Sequence, residues 1–227
     1  MYNSEAKKAY SWLPRLQLAD LRYGDVINRT PGNIAWYDLY DRVPAWAIVS
    51  HQKDVYGKPF CWASHSWWYL GPGPEGGGLV FEATQPRAKN TVFYLRELDK
   101  SKWYIVTRYK DWKIESAEER EIIWNGIKEL DGEPYDYGQL LSIAINRLLR
   151  WPVDSYIPLG WGKKKMVCSV LCRALWMLWY ESYARPNSLP VRRPGGPLHV
   201  ERTSPALFEN ETTYKIVGVL NGGAGRI

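Results

Sequence analysis

The chain has 227 residues, 45% hydrophobic and 24% charged, which is enough to bury a real core and excludes a disordered or low-complexity polypeptide. Thirty basic residues against 24 acidic ones leave a net charge of +6, a weak pull toward polyanionic surroundings. Three cysteines, Cys61, Cys168 and Cys172, are odd in number and lack metal-ligand spacing, which argues against a disulfide scaffold and gives no reason to expect a metal or other cofactor.

Residues 1–20 read as a short helical lead-in broken at Pro14, without the unbroken apolar region of a signal peptide. Leu21 to Ile27 reads as a turn feeding a strand. Residues 28–60 read as an elaboration, with one short strand expected at Trp46–Ser50. Phe60–Leu70 is strand-like, and period-two alternation puts His65, Trp67 and Tyr69 on one face. Gly71–Gly78 is a turn, and Leu79–Thr84 the returning strand of a hairpin. Thr91–Leu95 and Trp103–Tyr109 are further strands. Ser116 followed by Glu119 is a capping box that opens a helix to about Leu130. Tyr137–Leu149 reads as a second helix. Residues 185–198 hold four Pro and two Gly and read as a surface loop. Tyr214–Val219 is a last strand. Strands come first and helices later, so the expected class is α+β, as a single domain over residues 1–227.

The sharpest chemical signal is Met166 to Tyr180, a run without Gly or Pro that reads as a buried or half-buried helix. Cys168, Leu171, Cys172, Leu175 and Trp179 share one face at helical spacing. Cys168 falls in the first turn, where unpaired N–H groups and the helix dipole favour a thiolate. Cys172, one turn deeper, reads as a small core residue. A thiolate nucleophile needs a base, and the chain has three histidines, His51, His65 and His199. His65 precedes the Gly-rich turn and Glu82 stands in the returning strand, so antiparallel pairing can bring them together. Glu82 is flanked by Phe81 and Ala83, and a carboxylate in apolar company needs a partner. Spacing alone leaves an exposed His and an exposed Glu as the equal alternative.

Tyr23-Gly24-Asp25-Val26-Ile27, Ser64-His65-Ser66-Trp67-Trp68-Tyr69-Leu70-Gly71, Val80-Phe81-Glu82-Ala83, Gly132-Glu133-Pro134-Tyr135-Asp136, Val167-Cys168-Ser169 and Ser204-Pro205 follow one another in an order that resembles the permuted NlpC/P60 group. These are papain-like cysteine hydrolases in which His precedes Cys. The resemblance implies a small antiparallel sheet packed on helices, with Cys168 as nucleophile, His65 as base and Glu82 orienting the imidazole. His51 and His199 are then surface or loop residues. Tyr135 and Trp67 become candidates for the substrate groove.

The function this implies is that of a cysteine peptidase or amidase (a thiol protease in the broad sense), working through a thioester acyl-enzyme on a peptide or amide such as peptidoglycan. Two alternatives stand beside it: a non-catalytic binding module on the same fold, and a lipid or thioester acyl hydrolase or acyltransferase. Nucleic acid is not an expected partner, since only the charge favours it. No uncharged apolar run reaches the roughly 18 residues that span a bilayer. The cytoplasm is the default location, with a phage or effector system as the route to a cell wall. Oligomeric state is left open.

Overall fold

A computed structural model describes residues 2–32, 39–56, 60–84, 87–134, 168–194, 204–210 and 212–220. Six strands form one antiparallel sheet: β1 (Val26–Arg29), β2 (His65–Pro72), β3 (Gly78–Ala83), β4 (Ala88–Phe93), β5 (Tyr104–Tyr109) and β6 (Tyr214–Val219). Their order across the sheet is β4-β3-β2-β1-β5-β6. The helices are α1 (Tyr2–Tyr10), α2 (Leu39–Tyr56), α3 (Ala117–Leu130), α4 (Cys168–Trp179) and the short α5 (Leu207–Asn210). The class is therefore α+β. The expected second helix, Tyr137–Leu149, lies outside the described residues. Among the described residues no helix is long and apolar enough to cross a membrane.

Alternation along the strands divides the side chains between two cores. Val26, Trp68, Phe81 and Tyr109 point to one face and meet Ile123 and Ile127 of α3 and the apolar side of α4. Ile27, Trp67, Tyr69, Val80, Tyr104 and Val106 point to the other, under Leu16, Leu18, Leu98 and Leu220. Much of the unusual tryptophan content is thereby spent on packing. Trp62, Trp67, Trp68, Trp103, Trp176 and Trp179 are all buried, and among the described residues Trp12 and Trp124 are exposed.

Local chemistry sets the helix boundaries. Ser116 caps α3: its hydroxyl accepts from Glu119 N–H, and the Glu119 carboxylate accepts from Ser116 N–H, as the capping box predicts. The turn before β1 holds α4. Gly24 has a φ of +87°, and a Cβ there would meet Trp176 Cζ2 at 2.9 Å. Only glycine fits both the backbone and the ring. The Trp176 indole N–H donates to the Gly24 carbonyl at 3.2 Å, and Arg108 grips the buried Asp25 with both Nε and Nη2.

The strand expected at Trp46–Ser50 is instead part of α2. Ala45, Ile48, Val49 and Gln52 are buried at helical spacing, and that period prevails over the local β-branched preference. Gln52 is the tie: its amide donates to the carbonyls of Cys61 and Ala63, and its oxygen accepts from Ala206 N–H. His51, expected on a loop or surface, lies on this helix and is half-buried. The expected surface loop is exposed over most of its described part, residues 185–194, although Pro194 turns inward and accepts from Arg173 Nε.

The sheet edge at β6 is covered at its Val219 end. Leu16 N–H donates to Val219 O and Val219 N–H donates to Pro14 O, so the segment after α1 pairs alongside the last strand.

A buried polar cluster joins α1 to the sheet. Tyr10 O–H donates to Glu209 Oε2 at 2.7 Å and Asn28 Nδ2 donates to Glu209 Oε1 at 3.3 Å. Burial raises the Glu209 pKa to about 7, despite those two hydrogen bonds to the charged form. The folded state thus holds this proton more tightly than the unfolded chain, and stability falls as pH rises from the ordinary carboxylate range through 7. The span of that loss is on the order of 3 kcal/mol. Glu209→Gln should flatten this dependence. Urea titrations at pH 5 and pH 8 are expected to show a smaller stability difference for the variant than for the wild type, and an equal difference would rule the assignment out.

Candidate active site

The β-hairpin and the start of α4 converge at one end of the sheet. His65 opens β2, Glu82 stands in β3, and Cys168 is the first residue of α4. The β2–β3 register pairs Trp68 with Phe81. Continued one residue, it sets Glu82 across from Trp67, so His65 reaches the carboxylate diagonally along the same face. His65 Nε2–H donates to Glu82 Oε2 at 2.7 Å. Thr91 O–H, from β4, donates to the other carboxylate oxygen at 2.9 Å. With Nε2 held by Glu82, Nδ1 is the ring nitrogen left for the thiol of Cys168, which hydrogen-bonds the imidazole. Spacing left an exposed pair as an equal reading. In the structure His65 is 8% exposed, Glu82 7% and Cys168 2%.

Ser66 joins from beneath. Pairing between β2 and β3 begins at Trp68, so the ladder does not use the Ser66 N–H on the β3 side. That N–H and the N–H of Ser169 both donate to the Cys168 sulfur. Ser66 is held in turn: its hydroxyl donates to Asn28 Oδ1 at 2.7 Å.

Electrostatics favour the charged forms of all three groups. Burial resists ionisation of Cys168, but the positive imidazole, its hydrogen bond and the two backbone N–H groups outweigh that, and the thiol pKa falls below its ordinary value. Burial likewise pulls His65 down. The Cys168 thiolate and the hydrogen bonds to Cys168 and Glu82 overcome it, together with repulsion from Arg29, and raise the imidazole to about 9. Burial would raise Glu82, yet the hydrogen bond and charge of His65, the Thr91 hydroxyl and Arg29 lower it to about 2. Together these shifts favour a thiolate–imidazolium pair backed by a carboxylate. Cys172, one turn further along α4, goes the other way. Burial, with the negative charges of Cys168 and Glu82, pushes its thiol well up and keeps it inert.

The remaining candidates fare differently. Trp67 is 6% exposed and packs edge-on to the His65 ring and against Phe93 and Tyr104, so it belongs to the core under the imidazole rather than to an open groove wall. Tyr135 and His199 lie outside the described residues. His51 is on α2. A cavity of about 620 Å³ opens at the far end of β2, lined by Tyr23, Tyr69, Leu70, Arg22 and Arg120, and no member of the Cys168 cluster lines it. Sequence reasoning passed over Thr91, Ser66 and Arg29. The readable signal was alternation: Thr91 and Lys89 share a face of the strand next to Glu82. Among the described residues no group of three or more His, Cys, Asp or Glu could hold a metal ion.

No protein-family model matches this chain, and no curated protein matches it. Among solved structures, the chain is similar to the metalloprotein yiiX from Escherichia coli O157:H7, described as DUF1105. That likeness has a TM-score of 0.46 at 16% identity and covers 88% of this chain and 98% of the other. It is too distant to bear on function.

Proposed function

We propose that this protein is a cysteine hydrolase of amide or peptide bonds, with a permuted papain-like, NlpC/P60-like order of catalytic groups and Cys168 as nucleophile. The observation that carries the reading is His65, bound at Nε2 by Glu82 at 2.7 Å and hydrogen-bonded to the thiol of Cys168. The sulfur attacks the acyl carbon and an S–C bond forms. The imidazolium gives its proton to the departing amine as the C–N bond breaks. Water, deprotonated by His65, then attacks the thioester. The acid leaves, and the thiolate–imidazolium pair is restored. The N–H groups of the first turn of α4, with the dipole of that helix end, suit the oxyanion that develops at each step. The net charge of +6 favours an anionic substrate such as a cell-wall peptide over a neutral lipid.

The direct test is incubation with peptidoglycan stem peptides and simple amide and thioester substrates, with mass spectrometry for an acyl adduct on Cys168. Turnover that persists undiminished in Cys168→Ala would refute the mechanism.

Glu82→Gln should weaken turnover less than loss of Cys168 or His65 does. A neutral amide can still accept from Nε2–H, but no longer stabilises the imidazolium by charge. The expected cost is on the order of 10²-fold in kcat with KM little changed. The alkaline limb of the pH–rate profile should also move down from about 9, because losing the anion releases the imidazole proton more readily. An unmoved limb would place Glu82 outside the proton chemistry.

A further inference from the structure

Arg29 is the last residue of β1 and pairs across the sheet with His65 on one side and Tyr104 on the other. Paired residues of an antiparallel sheet share a face, so the guanidinium is carried to the face and the end of the sheet where the imidazole stands. It sits 5.7 Å from the centroid of the Trp67 ring and is half-buried. Its charge opposes protonation of His65 and favours ionisation of Glu82. Among the described residues no carboxylate lies within ion-pair distance of it. Glu82, the nearest acid in effect, is engaged by His65 and Thr91. The indole N–H of Trp67, under the same guanidinium, is buried without a hydrogen-bond partner among the described residues.

A cation set against an imidazolium works against the ion pair. Among the described residues no carboxylate of the protein is left to offset it. An anion that arrives with the substrate would do so.

We propose that Arg29 is the specificity-determining residue of this site, binding a carboxylate on the substrate close to the acyl carbon that Cys168 attacks. This rests on the reading of Cys168 as nucleophile. A planar guanidinium meets a carboxylate through two parallel N–H···O bonds, a match that the single ammonium of lysine cannot reproduce. The substrate class is therefore an acyl compound or peptide with a carboxylate beside the scissile bond, from a chain terminus or an acidic side chain.

The test uses two small electrophiles of similar size. Iodoacetate carries the carboxylate and iodoacetamide does not, and both alkylate the sulfur with loss of iodide. Their rates at Cys168 are read at pH 7 by peptide mass spectrometry, in the wild type, Arg29→Gln and Arg29→Lys. The expected result is an iodoacetate-to-iodoacetamide ratio about tenfold higher in the wild type than in Arg29→Gln, with Arg29→Lys between them. The iodoacetamide rate should stay similar in all three, which also reports an intact site. Fast iodoacetamide labelling with the same ratio in wild type and Arg29→Gln overturns the role of Arg29 alone. Slow iodoacetamide labelling in the wild type overturns the nucleophile itself, and this proposal with it. Among authentic substrates, terminal and side-chain carboxylates are separated by comparing matched peptides amidated at one position or the other.

Discussion

Iodoacetamide should label Cys168 rapidly at pH 6, and His65→Ala should slow that labelling by on the order of 10–100-fold. An ordinary thiol is thiolate to only about 0.3% at that pH. The positive charge and hydrogen bond of His65, and the N–H groups of Ser66 and Ser169, favour the thiolate of Cys168 over its ordinary balance. Without the imidazole only burial and two weak donors remain, and burial favours the thiol. In the wild type the labelling rate should be nearly flat from pH 6 to pH 8. Hydrolysis should be lost as pH climbs through about 9, where His65 gives up its proton and can no longer protonate a leaving amine. Cys168→Ala should lower turnover by about 10⁴-fold or more. A labelling rate that rises tenfold per pH unit from 6 to 8 would mean an unperturbed thiol and no activated nucleophile.

Glu119→Ala should be the most damaging change away from the site, costing about 3–5 kcal/mol, or roughly 10 °C in Tm. The Glu119 carboxylate is 2% exposed and accepts from five donors. Two are the indole N–H groups of Trp112 at 2.6 Å and Trp179 at 3.0 Å, and the rest come from Glu115 and Ser116. Truncation strands the indole N–H of the fully buried Trp179, takes the acceptor from half-buried Trp112, and opens the cap of α3 in one step. Since α3 packs on α4, the helix that begins with Cys168, labelling of Cys168 should become slower or more heterogeneous. Glu119→Gln keeps an acceptor and should cost markedly less. Chemical unfolding of the two variants checks the order, and a loss below about 1 kcal/mol for the alanine variant would remove the role assigned to this carboxylate.

Much of this was legible in the chain because local and long-range preferences agree. β6 runs Tyr214–Val219 as predicted, α3 starts at its capping box, and the run after Cys168 is a helix. His65 and Glu82 could be paired because a Gly-rich turn dictates a hairpin, and a hairpin fixes which residues can meet. α2 was misread because Trp46–Ser50 has strand composition, while its helical period shows only over a longer window that includes the polar Gln52. Trp67 was placed in a groove because an aromatic near a candidate base suits either wall or core. Only the three-dimensional positions of Phe93 and Tyr104 decide between them. Arg29 belongs to no motif, and Ser66 stands in one only as the neighbour of His65. Their roles come from register, which pairs one with His65 and frees the N–H of the other, and register depends on strands far apart in the chain.

The pairing of residues 14–16 beside Val219 has a further consequence. An open outermost strand invites a neighbouring molecule to continue the ladder. Here the chain's own beginning already holds that place at Val219, the residue where β6 ends. Clipping the first sixteen residues would bare a rim of hydrogen-bonding groups together with the apolar surface once shielded by Leu16. The shortened protein would then be prone to stack with copies of itself, even with every group around Cys168 intact.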